Sequence, residues 1–135
     1  MVLRIKRKHL DEIFQHARRC YPAEACGILV GKREGEEKIV EKVYLTRNVL
    51  ASTSEYRIDP IEQLKVFEEA EHQSLNIIGF YHSHPFWDPF WSKTDEDRSE
   101  LWTGYSFLIV SLKTGKARAY IRRENRAERE EMAAI

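Results

Sequence analysis

Cysteine is scarce in this chain. Only Cys20 and Cys26 occur among 135 residues, too few for a disulfide scaffold, and they form no C-x-x-C pair. Two free, packed thiols are the plain expectation, with a Cys20–Cys26 disulfide the lesser alternative. No run approaches the ~20 apolar residues that a membrane span needs, so no membrane segment is expected. The first fourteen residues lack the apolar stretch and small-residue cleavage site of a signal peptide, which predicts a cytoplasmic protein. Neither sign of charge is in surplus: 22 basic residues face 22 acidic ones. A nucleic-acid binder usually carries a basic excess, so no nucleic-acid partner is expected. The H-x-E…P-C-x-x-C signature of zinc deaminases is missing as well, which disfavours base deamination. Asn and Gln are few beside a 33% charged fraction, a balance that leans toward a thermophile.

What is present is enough for one core: 42% of residues are hydrophobic, in a chain of single-domain length. A short strand at 2–5 leads into an amphipathic helix from Lys8 to Cys20, with Leu10, Ile13, Phe14 and Ala17 at helical spacing. The apolar run Ala25–Gly31, a polar turn at 33–37 and Ile39–Thr46 predict an antiparallel hairpin. Tyr56–Ile58 reads as a short strand. Asp59-Pro60 starts a helix reaching about Ser74, with Ile61, Leu64, Phe67 and Ala70 on one face. A buried strand spans Asn76–His82, and an aromatic loop spans Pro85–Lys93. A third helix follows at Thr94–Trp102, with Thr94 and Asp97 as a weakened capping box. Tyr105–Leu112 and Ala117–Arg122 form a second hairpin. The charged tail from Glu124 carries no pattern that assigns it. The order predicts an α+β domain over 1–135, its mixed, mostly antiparallel sheet flanked by helices.

The chemistry concentrates in His82-Ser83-His84-Pro85. Residues i and i+2 of a strand share a face, so two imidazoles project together. Asp95, eleven residues beyond His84, can return as a third ligand. Two histidines and one carboxylate leave a fourth position for water, the arrangement of a catalytic zinc site. Asp95 is also favoured in a first helical turn by the helix dipole alone.

The set His82-x-His84-Pro85, Ser92 and Asp95 resembles the JAMM motif, H-x-H-P-x6-S-x2-D, of MPN+ metallopeptidases. Glu24-Ala25-Cys26-Gly27-Ile28-Leu29-Val30-Gly31 is similar to that family's glutamate-bearing first strand. The short chain looks most like the prokaryotic branch, which processes ubiquitin-like and sulfur-carrier proteins. The resemblance implies a single MPN/JAMM-like domain and one Zn²⁺ with a bound water, held by His82, His84 and Asp95. It implies Glu24 as the base that deprotonates that water and protonates the leaving amine, and Ser92 as a hydrogen-bond donor to the water or the oxyanion. The implied partner is a small ubiquitin-like or sulfur-carrier protein with a Gly-Gly tail. The implied reaction is hydrolysis after that tail, releasing the modifier from lysine. The alternatives are trimming an amino acid or peptide from a sulfur-carrier protein, or a non-catalytic MPN-type scaffold. Trp87 and Trp91, with Phe86 and Phe90, either pack locally over the metal site or form a wall for the tail or a homodimer contact. Asn48–Arg57 is a candidate for pairing with the tail by strand addition. His9, His16 and His72 are expected outside the catalytic group, and Cys26 is read as packing.

Overall fold

The structure is a computed structural model that describes residues 1–135. Its elements are β1 (Val2–Ile5), α1 (Arg7–Cys20), β2 (Cys26–Glu34), β3 (Glu37–Thr46), α2 (Pro60–His72), β4 (Asn76–His84), α3 (Lys93–Arg98), β5 (Ser106–Ser111), β6 (Ala117–Arg122) and β7 (Ala127–Ala134). No helix is long and apolar enough to cross a membrane.

The strands pair in the order β1-β3-β2-β4-β5-β6-β7, and β7 returns to β1, so the sheet closes into a barrel. The β1–β3, β1–β7 and β4–β5 pairs are parallel, and the rest antiparallel. The expected α+β class and mixed sheet are observed, but an open sheet flanked by helices underdescribes the closure. Closure depends on β7, the tail that the hydrophobic pattern leaves unassigned. In β7 the buried inward residue is Glu130, whose charge is matched by fully buried Lys38 of β3 at 2.8 Å. Ser106 of β5 donates to the same carboxylate at 2.6 Å. Removing one member would leave the other charge buried and unpaired, which is costly.

Helices α1 and α2 contribute to separate apolar clusters. Ile13 and Ala17 of α1 join Leu3, Leu29 and Tyr81 in one. Val66 and Ala70 of α2 join Ile28, Phe80 and Phe107 in the other. A bulge opposite Leu29 and Val30 skips Ile78, an irregularity that moves one residue to the other face. Ile78 therefore packs with Tyr81, while Phe80 lines the α2 side. Cys26, also in the α2-side cluster, pairs with His82, so the metal-ligand candidates continue the Phe80 row.

Two helices differ from expectation. In α2 the buried residues are Val66 and Ala70, whereas Ile61 and Leu64 are 66% and 60% exposed. The packed stripe of the helix runs through Val66, Phe67 and Ala70 and leaves Ile61 and Leu64 outside it. Helix α3 begins one residue earlier and ends at Arg98, not Trp102; its capping box is Ser92 with Asp95, not Thr94 with Asp97. The Tyr56–Ile58 strand reduces to one bridge between Asn48 and Ile58.

Gly79 is the tightest approach beside the site. A Cβ there would meet the Ser106 carbonyl oxygen at 1.8 Å. Parallel pairing of β4 with β5 thus requires glycine, and Gly79→Ala is expected to lower stability by about 3 kcal/mol. An unchanged urea midpoint would contradict this.

Candidate metal centre

His82 and His84 lie on one face at the end of β4, the last strand residues before the chain turns at Pro85. Asp95 sits at the third position of α3, and its carboxylate reaches back to both rings. His82 Nε2 lies 3.0 Å from Asp95 Oδ1, and His84 Nε2 lies 3.6 Å from Asp95 Oδ2. All three side chains are buried, and their ligand atoms fall within 4.8 Å of one another. Two ligands at tetrahedral angles on one zinc would be about 3.3 Å apart. The two His–Asp spacings bracket that figure.

The hydrogen bonding also fits a metal. His82 Nε2 is close to Asp95, yet neither ring nitrogen of His82 has an aligned hydrogen-bond partner. A buried imidazole with no aligned partner is unusual, and a ligand role explains it. The Nδ1 of His84 contacts the carbonyl of Asp88 at 2.8 Å. An Nδ1–H donor there leaves the Nε2 lone pair pointing at the cluster, the second-shell pattern of metal histidines. Burial lowers the His82 pKa against the raising effect of Asp95, which keeps the ring neutral and able to ligate. Burial would raise Asp95, but His82, His84 and the Ser92 backbone hold it well below the usual carboxylate range.

Ser92 and Asp95 are tied to each other. Asp95 N–H donates to Ser92 Oγ at 3.0 Å, and Ser92 N–H donates to Asp95 Oδ2 at 3.1 Å. The capping box therefore also orients the ligand. Ser92 uses an acceptor position in the cap, and its hydroxyl proton stays available to donate.

Glu24 precedes β2 and is buried, 2% exposed. Its backbone is pinned: its N–H donates to the Ser52 carbonyl at 2.8 Å, and Asn48 Nδ2 donates to its carbonyl at 3.0 Å. The neighbouring Ala25 N–H donates to Ser83 Oγ, between the two histidines, at 2.8 Å. Burial pushes the Glu24 carboxyl up to about 8; the Asp95 charge adds to this, and the Arg98 guanidinium opposes it. All five residues named from the sequence thus meet in one region.

Other expectations fare variously. Trp91 is a packing residue, its ring against Phe107 and Tyr120 and its Nε1–H donating to Glu96. Phe86, Trp87 and Phe90 are exposed by 36–45%. The Trp87 and Phe90 rings stand 6.4 and 5.5 Å from His84. The Asn48–Arg57 segment folds onto itself, with Asn48 Oδ1 accepting from the N–H groups of Leu50 and Arg57. His9 and His16 are buried, and His16 Nδ1 is 2.7 Å from Tyr81 Oη. Both cysteines are free thiols, and burial pushes Cys26 up to about 12, consistent with packing rather than nucleophilic use.

Two residues near the centre escape sequence reasoning. Tyr56 stacks on His82, centroids 4.5 Å apart at 22°, and Arg98 lies over Tyr56 at 5.1 Å. Neither sits at a recognisable spacing from the histidines.

Residues 6–134 match the family described as prokaryotic homologs of the JAB domain. A desampylase of Haloferax volcanii is 39% identical over 106 residues, covering 75% of this chain and 74% of that protein. A CysO-cysteine peptidase of Mycobacterium tuberculosis is 37% identical over 94 residues, covering 70% of this chain and 63% of that protein. A solution structure of a Desulfitobacterium hafniense protein superimposes with a TM-score of 0.88 at 29% identity, covering 98% of this chain and 92% of that one.

Proposed function

Because the chain belongs to the prokaryotic homologs of the JAB domain, we propose that it is a zinc-dependent peptidase acting on a small ubiquitin-like protein. It hydrolyses the bond after a C-terminal Gly-Gly and releases the modifier from lysine. The observation that carries this reading is the buried Glu24 beside a His82–His84–Asp95 cluster in which neither ring nitrogen of His82 has a hydrogen-bond partner. Residues 1–135 then act as one catalytic domain.

His82, His84 and Asp95 hold the ion. Bound there, zinc would supply a Lewis acid that makes water acidic near pH 7 and polarises the scissile carbonyl, and its charge would favour ionised Glu24. Glu24 takes a proton from the attacking water and returns it to the leaving amine. Its pinned backbone fixes where that proton is held. Ser92 donates its hydroxyl proton to the developing oxyanion while the cap keeps its oxygen in place.

A second reading shares this chemistry: release of an amino acid from a sulfur-carrier protein. It is favoured by the relative named a CysO-cysteine peptidase. The scaffold alternative is disfavoured because Glu24, His82, His84, Ser92 and Asp95 are all present.

The exposed aromatics beside His84 form one wall for the extended Gly-Gly tail. Ser111 Oγ donates to the Trp87 carbonyl at 2.6 Å, which anchors that part of the loop. Trp87→Ala is therefore expected to raise KM for a protein substrate about tenfold, with kcat little changed. An unchanged KM would remove Trp87 from the wall. A loss of dimers on sizing, with KM unchanged, would assign it to a homodimer contact instead. Competing hydrolysis assays on lysine-linked and amino-acid-linked substrates separate the two reaction readings.

A further inference from the structure

The two histidines of the metal centre are supported in different ways. His84 has a hydrogen-bond partner, its Nδ1 lying 2.8 Å from the Asp88 carbonyl. His82 has none: Nε2 faces Asp95, and Nδ1 is buried without a hydrogen-bond partner. Metal histidines almost always fix their ring through the second nitrogen, so His82 needs another support. A ring stack is in that place. The Tyr56 ring lies 4.5 Å from the His82 ring and 22° from parallel. Such a stack restrains an imidazole through its face, whereas ligation uses a lone pair in the ring plane. The contact can orient His82 without occupying the nitrogen that takes the metal.

Tyr56 is itself held. It is 7% exposed, and the Arg98 guanidinium lies over its ring at 5.1 Å. The side chain of Asn48 ties the backbone on both sides of it. Asn48 Nδ2 donates to the Glu55 carbonyl and to the Glu24 carbonyl, both at 3.0 Å. Asn48 Oδ1 accepts from the N–H of Arg57 at 3.0 Å and of Leu50 at 3.1 Å. All four hydrogen-bonding positions of the amide are thus used. One side chain joins the segment carrying Tyr56 to the segment carrying Glu24.

We infer that Tyr56 is a positioning residue of the metal centre: its ring sets the orientation of His82 where no hydrogen bond does, and the Asn48 amide holds that ring in register with Glu24. The inference rests on the reading of His82, His84 and Asp95 as zinc ligands and adds a residue to it. A residue that only packs needs apolar bulk. A positioning residue of this kind needs a flat ring.

The test is zinc affinity of the full chain, measured by competition with a chelating indicator. It is read beside the visible spectrum of the cobalt-substituted protein, which reports ligand geometry. Tyr56→Phe keeps the ring and is expected to match wild type in both. Tyr56→Leu keeps apolar bulk and loses the ring. It is expected to weaken zinc binding about 10–100-fold, the usual cost of losing an outer-shell partner, and to change the cobalt spectrum. Tyr56→Met carries the same expectation and serves where the leucine variant does not fold by circular dichroism. Wild-type affinity and an unchanged cobalt spectrum in either folded variant would make Tyr56 a packing residue and overturn the inference. Tyr56→Phe binding as weakly as those variants would overturn it too. Wild type that binds no zinc overturns the inference and the metal reading together. Weakened binding by Tyr56→Leu, with no hydrolysis by zinc-loaded wild type, leaves the inference standing while the peptidase reading fails.

Discussion

Glu24→Gln is expected to keep its zinc and lose hydrolysis. A positioned general base contributes about 10²–10⁴-fold, and glutamine, nearly isosteric, cannot take the proton. The loss should fall on kcat, with KM close to wild type, because Glu24 acts on the water rather than on substrate binding. Metal analysis of the same preparation separates loss of the base from loss of the site. Retained activity would take Glu24 out of the mechanism.

The same residue gives a pH signature in protein stripped of metal. Burial first, and then Asp95, raise its carboxyl to about 8 from an ordinary value of 4.5. The folded state therefore binds more protons than the unfolded state between those values. Its contribution to stability is fully present below pH 4.5 and is lost as pH rises toward 8. The slope is at most about 1.4 kcal/mol per pH unit. Glu24→Gln, which does not titrate, should flatten the pH dependence of the urea midpoint across this window. Identical profiles for the two proteins would contradict the burial of an ionisable group at this position.

Asp95→Ala is expected to have the other large effect, abolishing stable zinc binding. Two histidines alone do not close a tetrahedral site. The change also removes half of the α3 capping box, worth about 1 kcal/mol. Ser92→Ala separates the two roles. It loses the other half of the box, at a similar cost in stability, yet leaves all three ligands in place. It should bind zinc while kcat falls about 10²–10³-fold, as expected for a single oxyanion donor. Zinc content after dialysis distinguishes the two variants. Stoichiometric zinc in Asp95→Ala would show that the carboxylate is not a ligand.

The centre was legible because its ligands are near in sequence. His82 and His84 share a strand face, and a helix start returns Asp95 after a short loop. Glu24 came only from the resemblance, since nothing in its local pattern distinguishes it from a surface charge. The barrel was illegible for a physical reason: β7 buries Glu130 against Lys38, and a charge pair leaves no trace in hydrophobic periodicity. On α2, Phe67 and Ala70 of the expected face pack, but Ile61 and Leu64 are exposed, because periodicity does not show how far along a helix the sheet extends. Tyr56 and Arg98 reach the centre by tertiary packing from a loop and from the end of a short helix, which spacing does not encode.

The most direct test is hydrolysis of a Gly-Gly-tailed ubiquitin-like protein conjugated to lysine, or carrying a C-terminal amino acid, by zinc-loaded wild type. Cleavage that stops with a chelator and returns with one equivalent of zinc is the predicted result. Cleavage that persists in protein shown to be free of metal, or no cleavage of either substrate with zinc bound, would contradict the assignment of a zinc peptidase.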